Sequence, residues 1–514
     1  MPFDFIITTD RTMMTDHHGK EFLGFMTTSP AVGLPEWAWM WLCAPKMKTD
    51  ELGRPWQAPY GLRKIEAALV NAGFNAAIID PDHLYKYVKQ AKAVLIGHHD
   101  FFAFCAPSST WWAITKREPV NRRYFIRLMK SSAIQEAKRN GAKIIVGGPA
   151  AWQWLYTAEY WEKWGVDVVV DGEAEKVIVD LAQRVLDGVP LPRYVYVGPN
   201  EAPNIKEIPT ILHASVNGLV EIMRGCPRGC KFCSVTLRPL RYIPLEMIEK
   251  EIQVNVREGV AHGLLHSEDV LIYGAYGIKP RPKPVLRLHE IALRYYRSIA
   301  WSHSSLSAIV CAEKEHRLVS TLMDYILSRA NQEFLGLQTG IETGSPRLAN
   351  EIMKAKAAPF KTENWPDIVE EAFAIMHENN IIPAATIMLN IPGETVDDIL
   401  RTLELLDSLR DYRSLIVPMY FVPLGVLKDQ SLQIQIKPEH IEVMWACLEH
   451  SLKWAPEIAK LYLKGPVYFP VRLLLQVMIW WIRRRAGELK PRLKSYMERL
   501  AKETQVMRLS SLLS

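Results

Sequence analysis

Arg224-Gly-Cys-Pro-Arg-Gly-Cys-Lys-Phe-Cys-Ser234 sets Cys226, Cys230 and Cys233 in a C-x3-C-x2-C pattern, with Phe232 just before the last thiol. Three thiolates this close can hold three irons of a [4Fe-4S] cube and leave the fourth without a cysteine. An open coordination position marks a working metal site rather than a structural one, and a substrate or cofactor can be chelated there. The plain alternatives are three buried cysteines or a zinc knuckle, which calls for four ligands and paired C-x2-C units. The other four cysteines, Cys43, Cys105, Cys311 and Cys447, are scattered singly and supply no second pair.

This spacing, with an aromatic before the third cysteine, resembles the signature of the radical S-adenosylmethionine (SAM) superfamily. The resemblance implies a [4Fe-4S] cluster on Cys226, Cys230 and Cys233 and SAM on its open iron. Three later segments extend it. Tyr273-Gly274-Ala275-Tyr276-Gly277 stands where family members place a glycine-rich loop near the methionyl amine, with Ala and Tyr in place of the usual acidic residue. Gly340-Ile341-Glu342-Thr343-Gly344-Ser345 matches Gly-x-Glu-x-Gly-Ser more closely and implies that Glu342 binds the ribose or methionyl part of SAM. Asn390-Ile391-Pro392-Gly393-Glu394-Thr395 is the third. The implied SAM contacts are therefore Phe232, Tyr273, Gly274, Glu342 and Asn390, with no catalytic residue beyond the cluster and a reduced ferredoxin- or flavodoxin-like electron donor. Residue chemistry also gives these segments structural roles: Ser345-Pro346 is a helix start, and Thr395 with Asp398 makes a capping box.

A chain of 514 residues is too long for one ordinary core, and a prior of roughly 150 residues per domain suggests about three. The segments expected are 1–205, 206–425 and 426–514. Apolar content of 49% and charged content of 23% are those of a soluble globular protein. Unpaired cysteines imply a reducing compartment, and the N-terminus lacks the basic start and apolar run of a signal peptide. A cytoplasmic location follows, soluble or peripheral on the inner face of a membrane. The net charge of +6 is matched by 483–508 alone, where nine Lys or Arg stand against three Glu. The basic character belongs to a tail, and no nucleic-acid partner is expected.

Residues 21 to about 190 alternate short apolar runs with helical patterns. Strands are predicted at Phe22–Thr27, Phe74–Asp80, Ala93–His98, Lys143–Gly147 and Val166–Asp171, with helices at Gly61–Ala72, Arg123–Arg139 and Val177–Leu186. This alternation predicts an α/β fold with a doubly wound parallel sheet, whose ligands bind beyond the carboxyl ends of the strands. Gly147-Gly148-Pro149 and Asp171-Gly172-Glu173 at those ends resemble the cobalamin-binding, Rossmann-like domain found ahead of many radical SAM enzymes. The Asp-x-His-x-x-Gly of members that ligate cobalamin through histidine is missing: Asp16-His17-His18-Gly19 has the wrong spacing and lies ahead of the expected first strand. Cobalamin bound without a histidine and no cobalamin at all both stay open. The insert 30–59, with Trp37, Trp39, Trp41 and Trp56, reads as inter-domain packing or as a greasy mouth for a hydrophobic ligand. His98-His99-Asp100 could suggest metal ligands, but adjacent histidines on a strand face opposite ways.

Pro190–Pro209 holds five prolines and reads as a linker. Beyond it, strands are predicted at Ala214–Met223, Asp269–Tyr273, Ser298–Ser302, Glu333–Gln338, Ala384–Leu389 and Leu415–Phe421, with helices at Leu245–Arg257, Arg287–Tyr296 and Thr395–Leu409. They resemble the partial (β/α)6 barrel of the superfamily, whose chemistry sits on loops at the strands' carboxyl ends. A helical extension starts near Pro438. Its apolar run Val471–Trp481, followed by Arg483-Arg484-Arg485, is too short to span a bilayer and reads equally as a helix packed on the barrel or one lying along a membrane surface.

By overall layout the chain resembles the archaeal radical SAM proteins that build cyclopentane rings into glycerol dibiphytanyl glycerol tetraether (GDGT) lipids, which implies a hydrophobic lipid substrate and radicals on two unactivated carbons. The alternatives are a cobalamin-dependent radical SAM methyltransferase and a non-catalytic iron-sulfur or lipid-binding protein.

Overall fold

The structure is a computed structural model and describes residues 3–428, 437–465 and 468–503. Two compact units divide the chain: 1–220 with 246–262, and 221–245 with 263–514. The boundary thus falls later than 205/206, and the C-terminal helices group with the second unit.

The first unit is built on six parallel strands: β1 Phe5–Thr8, β2 Ala76–Ile78, β3 Ala93–Gly97, β4 Lys143–Gly147, β5 Val168–Asp171 and β6 Tyr194–Tyr196. Their order, β2-β1-β3-β4-β5-β6, is that of a doubly wound sheet with its switch point between β1 and β3. Both faces are covered. Phe5, Ile7, Leu95, Ile145 and Val168 belong to one core, and Ile6, Val94, Ile144 and Val146 are buried beside them, so the strands read as continuous apolar runs rather than alternating ones.

Several expectations are corrected here. Phe22–Thr27 is no strand: Glu21–Thr28 is a 3-10 helix that buries Leu23 and Thr27 and exposes Phe25. Its burial recurs at four residues, where a strand requires two. The first strand is the earlier Phe5–Thr8, so Asp16-His17-His18-Gly19 lies after it and not before. The proline-rich linker contains β6, which pairs with β5 from Val169↔Tyr194 to Asp171↔Tyr196; a three-residue edge strand tolerates flanking prolines. The helix Leu245–Arg257, expected to serve the barrel, groups with the first unit: its Glu251 takes Lys64 Nζ at 2.5 Å and Tyr60 OH at 2.7 Å. The tryptophan insert divides. Trp39, Met40 and Met47 are buried, whereas Trp37 and Trp41, one turn apart on the helix Glu36–Cys43, are exposed.

From the boundary onward come β7 Leu219–Glu221, which runs across it, the pair β8 Met223–Arg224 and β9 Arg241–Tyr242, then β10 His262–His266, β11 Ser298–Trp301, β12 Leu335–Glu342, β13 Ile381–Leu389 and β14 Leu415–Tyr420. Strands β7, β10 and β11 form one three-stranded sheet, and β12, β13 and β14 another. The bridge His303↔Gln338 and the bond from Gln338 N–H to Ser302 O at 2.9 Å connect the two, giving a six-stranded arc, the partial barrel expected. Asp269–Tyr273 is not its second strand. Val270–Ile272 is a buried 3-10 turn, and the strand is His262–His266; a short, wholly buried apolar run carries no period to tell turn from strand.

One buried histidine gives the second unit a pH dependence. On the helix Pro282–Tyr295, His289 Nδ1 lies 2.7 Å from the Val285 carbonyl, and its Nε2 accepts the Trp301 indole N–H at 2.8 Å. The indole only donates, so Nε2 is bare and the ring neutral. Burial pushes the pKa of His289 down from 6.5 to about 4. Between those values the unfolded chain takes a proton that the folded one refuses. The stability contributed is complete above about pH 6.5, falls with pH by at most roughly 1.4 kcal/mol per unit, and levels off below about 4. Chemical unfolding measured across pH should show this slope, and His289→Phe should flatten it.

Candidate functional site

The cysteines lie on the loop 225–240 between β8 and β9, which pair antiparallel, Met223↔Tyr242 and Arg224↔Arg241. The closing turn needs a glycine: Gly225 has φ +83°, and a Cβ there would come within 2.6 Å of the Pro239 carbonyl. Arg224 holds Glu221 at 2.8 Å. Arg228, inside the motif, is buried and gives its Nη1 to Ser307 Oγ and to the carbonyls of Lys356 and Ala358, while Nη2 meets Asp269 Oδ2 at 3.2 Å. Backbone bonds fix the rest: Cys233 N–H to Cys230 O, Lys231 N–H to Ile352 O, and Val426 N–H to Lys231 O.

Cys226, Cys230 and Cys233 are all unpaired thiols. Burial pushes Cys226 up to about 12 and Cys233 to about 11, and raises Cys230 as well. Such thiols ionise when a cation takes the place of their protons. Among the described residues, no three His, Cys, Asp or Glu side chains gather as for one metal ion. Three soft donors on one clamped loop, with no fourth beside them, fit a cluster having one iron free of cysteine.

The carboxyl ends of the barrel strands face this loop with charge. Glu342 ends β12 in the left-handed region at φ +66°, at a register shift between Gly340 and Glu342, a conformation costing about 1–2 kcal/mol for a residue with a Cβ. It is held there by Lys356 Nζ on Oε1 at 2.5 Å and Thr386 Oγ1 on Oε2 at 3.2 Å. Burial works against the Lys356 ammonium, but the charges of Glu342 and Cys230 raise its pKa. Partly exposed Gln338 and Gly340 of β12 and Ala384 and Thr386 of β13 alternate with buried neighbours, so the inner face is lined by small or polar groups. His303 Nδ1 and Ser267 Oγ, just past β11 and β10, are buried with no hydrogen-bond partner among the described residues. A polar ligand carrying an amine, a carboxylate and hydroxyls fits these groups, as SAM does.

The expected SAM contacts do not all fall together. Glu342 does face Cys230, through Lys356. Asn390 ends β13 at φ +62°, its N–H bonded to Glu394 Oε2 at 3.0 Å. Phe232 is partly buried on the cysteine loop. Tyr273 and Gly274 follow a turn and not a strand: Tyr273 is buried with its OH on the Ile243 carbonyl at 2.7 Å, and the Gly274 carbonyl accepts from Arg281. The acidic residues missing from that loop appear at the true end of β10, as Glu268 and Asp269, and both act electrostatically on Cys226. Glu268, Lys356, His303 and Arg228 were therefore missed. Placing the second strand at His262–His266 would have exposed Glu268; nothing in the sequence pairs Lys356 with Glu342. The structural roles expected for the two later motifs are present: Ser345 caps the helix Pro346–Ile352, and Thr395 with Asp398 boxes the helix Val396–Ser408. The caps interlock, because Ser345 Oγ donates to Asp398 Oδ1 at 2.5 Å. Glu394 Oε2 binds buried His440 at 2.6 Å, a packing role.

At the first sheet's switch point the side chains bond one another. Asp10 Oδ2 lies 2.7 Å from His98 Nε2, both 1% exposed, and Arg11 holds Asp80 at 2.5 Å. His98 Nδ1 accepts from Asp100 N–H, and Asp100 takes Gln153 and Asn121, so His98 and Asp100 belong to a structural network. The strand-end glycines approach protein rather than leave a cradle: a Cβ on Gly148 would meet the His98 carbonyl at 2.8 Å, and one on Gly172 the Val197 carbonyl at 2.5 Å. After β1, His17 and His18 are engaged with the carbonyls of Cys43 and Trp41. A histidine-ligated cobalamin does not fit these residues.

Residues 220–406 match the family described as the radical SAM superfamily. Among curated proteins, the chain is 28% identical over 188 residues to an uncharacterised protein of Methanopyrus kandleri, 34% of this chain and 32% of that one. It is 25% identical over 198 residues to the ribosomal protein uS12 methylthiotransferase RimO of Chlorobium phaeobacteroides, 37% and 41% respectively. The chain thus spans well under half the length of these relatives. Among solved structures, the radical SAM methyltransferase TsrM of Kitasatospora setae, with tryptophan and a SAM analogue bound, superposes with a TM-score of 0.52 at 14% identity, over 85% of this chain and 75% of that one. A second TsrM structure, with cobalamin and a [4Fe-4S] cluster, gives 0.51 at 13% identity over 90% and 76%. At such identities the likeness is one of fold.

Proposed function

We propose that this chain is a radical SAM enzyme that removes one hydrogen from each of two unactivated carbons of a hydrophobic substrate and joins them, forming cyclopentane rings in GDGT-type membrane lipids. One observation carries the core of the reading: three thiols on a clamped loop, with Cys230 buried and coupled electrostatically to a buried Glu342–Lys356 pair at the barrel's strand ends. When bound, the cluster supplies one electron to SAM, whose cleavage gives methionine and a 5'-deoxyadenosyl radical. The protein's share is positioning and exclusion of water. Arg228 fixes the loop, Glu342 and Lys356 present opposite charges to a zwitterionic ligand, and the buried β12–β13 wall keeps solvent away from a reactive carbon.

The lipid part of the reading is supported by the exposed Trp37 and Trp41 of the insert and by the C-terminal helix described below. A cobalamin-dependent methyltransferase is the second reading, favoured by the six-stranded parallel sheet ahead of the barrel, a fold shared with TsrM over most of the chain.

The test uses the anaerobically reconstituted full chain with reductant and SAM. 5'-Deoxyadenosine should form; none in the presence of an intact cluster would leave only a non-catalytic iron-sulfur protein. Expression in a tetraether-forming host, or deletion there, followed by mass spectrometry of the lipids, separates the two readings. Ring closure removes two hydrogen atoms per new bond, whereas methylation adds a carbon. An altered ring number without bound cobalamin supports the cyclase, and cobalamin absorbance with a methylated product supports the methyltransferase.

A further inference from the structure

The last described helix, Phe469–Glu503, has an apolar face that stays about half exposed among the described residues. Phe469, Leu473, Val477 and Trp480 recur every three or four residues, which sets them along one side of a helix, and Trp481, one turn beyond Val477, widens the stripe. They are 54, 49, 51, 57 and 45% exposed. Flanking residues of the same helix engage the helix Pro438–Tyr462. Val471 is buried, Arg483 donates to the carbonyls of Leu452 and Lys453, Lys490 lies 5.4 Å over the Trp445 ring, and Lys494 meets Glu442 at 3.1 Å.

Cations border the exposed stripe. Arg472 lies over Phe469 at 5.9 Å, Arg484 over Trp480 at 5.5 Å and Arg485 over Trp481 at 5.0 Å. No helix among the described residues is long and apolar enough to cross a membrane.

We propose that this face docks on an anionic lipid surface, with the aromatic and aliphatic side chains at the level of the headgroup–acyl boundary and Arg472, Arg484 and Arg485 on the lipid phosphates. Indole and phenyl rings favour that boundary, and guanidinium groups bind phosphate in bidentate fashion. Neighbouring basic residues add long-range attraction. Charge selects the occupant. A second copy packed face to face would set one arginine row against another, a like-charge juxtaposition that opposes association, whereas an anionic bilayer complements both the stripe and its border. The face lies outside residues 220–406, so the proposal does not depend on the radical chemistry, and each can fail alone.

The test is flotation of the full chain with vesicles of phosphatidylcholine, with and without phosphatidylglycerol, at low and high salt. Binding should require the anionic lipid and weaken with salt. Phe469→Ser/Trp480→Ser/Trp481→Ser and, separately, Arg484→Glu/Arg485→Glu should each lower affinity about tenfold or more, with unchanged circular dichroism and 5'-deoxyadenosine formation. Leu186→Ser, at an exposed apolar site of the first unit, should bind as the parent does. The proposal is overturned if the parent ignores anionic vesicles, if the stripe and arginine variants bind undiminished, if Leu186→Ser weakens binding equally, or if sedimentation shows a parent dimer that the stripe variant breaks.

Discussion

Alanine at Cys226, Cys230 or Cys233 is expected to abolish both the cluster's visible absorbance and the formation of 5'-deoxyadenosine. On the proposed reading each thiol is one of three ligands, on a loop held by the β8–β9 pair and by Arg228, and no other cysteine is placed to substitute. Cys43, Cys311 and Cys447 are buried elsewhere, and Cys105 sits against Gln153 and the His99 carbonyl. Burial pushes the Cys43 thiol up to about 12, the mark of an inert core cysteine. Alanine at these four should leave iron per chain unchanged, at a cost of about 1 kcal/mol in packing. Iron content, absorbance and product formation, measured on all seven variants, check the assignment; activity in any of the first three would overturn it.

The second large effect is expected at Lys356 and Glu342. Removing one partner of a buried pair strands the other charge, at a cost of about 3–5 kcal/mol, so Lys356→Met and Glu342→Gln should each unfold at markedly lower denaturant. Replacing both with apolar residues should recover much of that loss, since the buried pair itself contributes little net stability. SAM affinity should behave differently. If the pair faces the ligand, the double variant stays weaker than the parent by about tenfold to a hundredfold, the worth of one or two charge-assisted hydrogen bonds. A double variant that regains both stability and SAM affinity would reduce the pair to a structural role.

Legibility in the sequence followed locality. The Ser345 cap and the Thr395–Asp398 box are determined within a few residues, and they stand in the structure as the spacing implied. Strands with β-branched runs, such as Lys143–Gly147 and Leu415–Tyr420, were equally plain. Failures came where an apolar run has no period of its own. Phe22–Thr27 and Asp269–Tyr273 look like strands until neighbours fix them as 3-10 turns, while Phe5–Thr8 is too short to stand out before β2 and β3 pair with it. Misplacing the second barrel strand hid Glu268, and with it the acidic group that the loop at Tyr273 seemed to lack.

The sequence by itself determined the chemistry offered by the Arg224–Ser234 loop and the α/β class of both units, because thiol spacing and hydrophobic period act along the chain. Only the tertiary structure decided which charges stand by those thiols. Lys356 meets Glu342 across fourteen residues and Arg228 meets Asp269 across forty-one. Such pairs form because burial leaves a charge no partner but the one the fold delivers, and nothing in local spacing records that delivery. It also decided that the helix Phe469–Glu503 keeps half its apolar stripe uncovered, which depends on where its neighbouring helix lies and not on its own pattern.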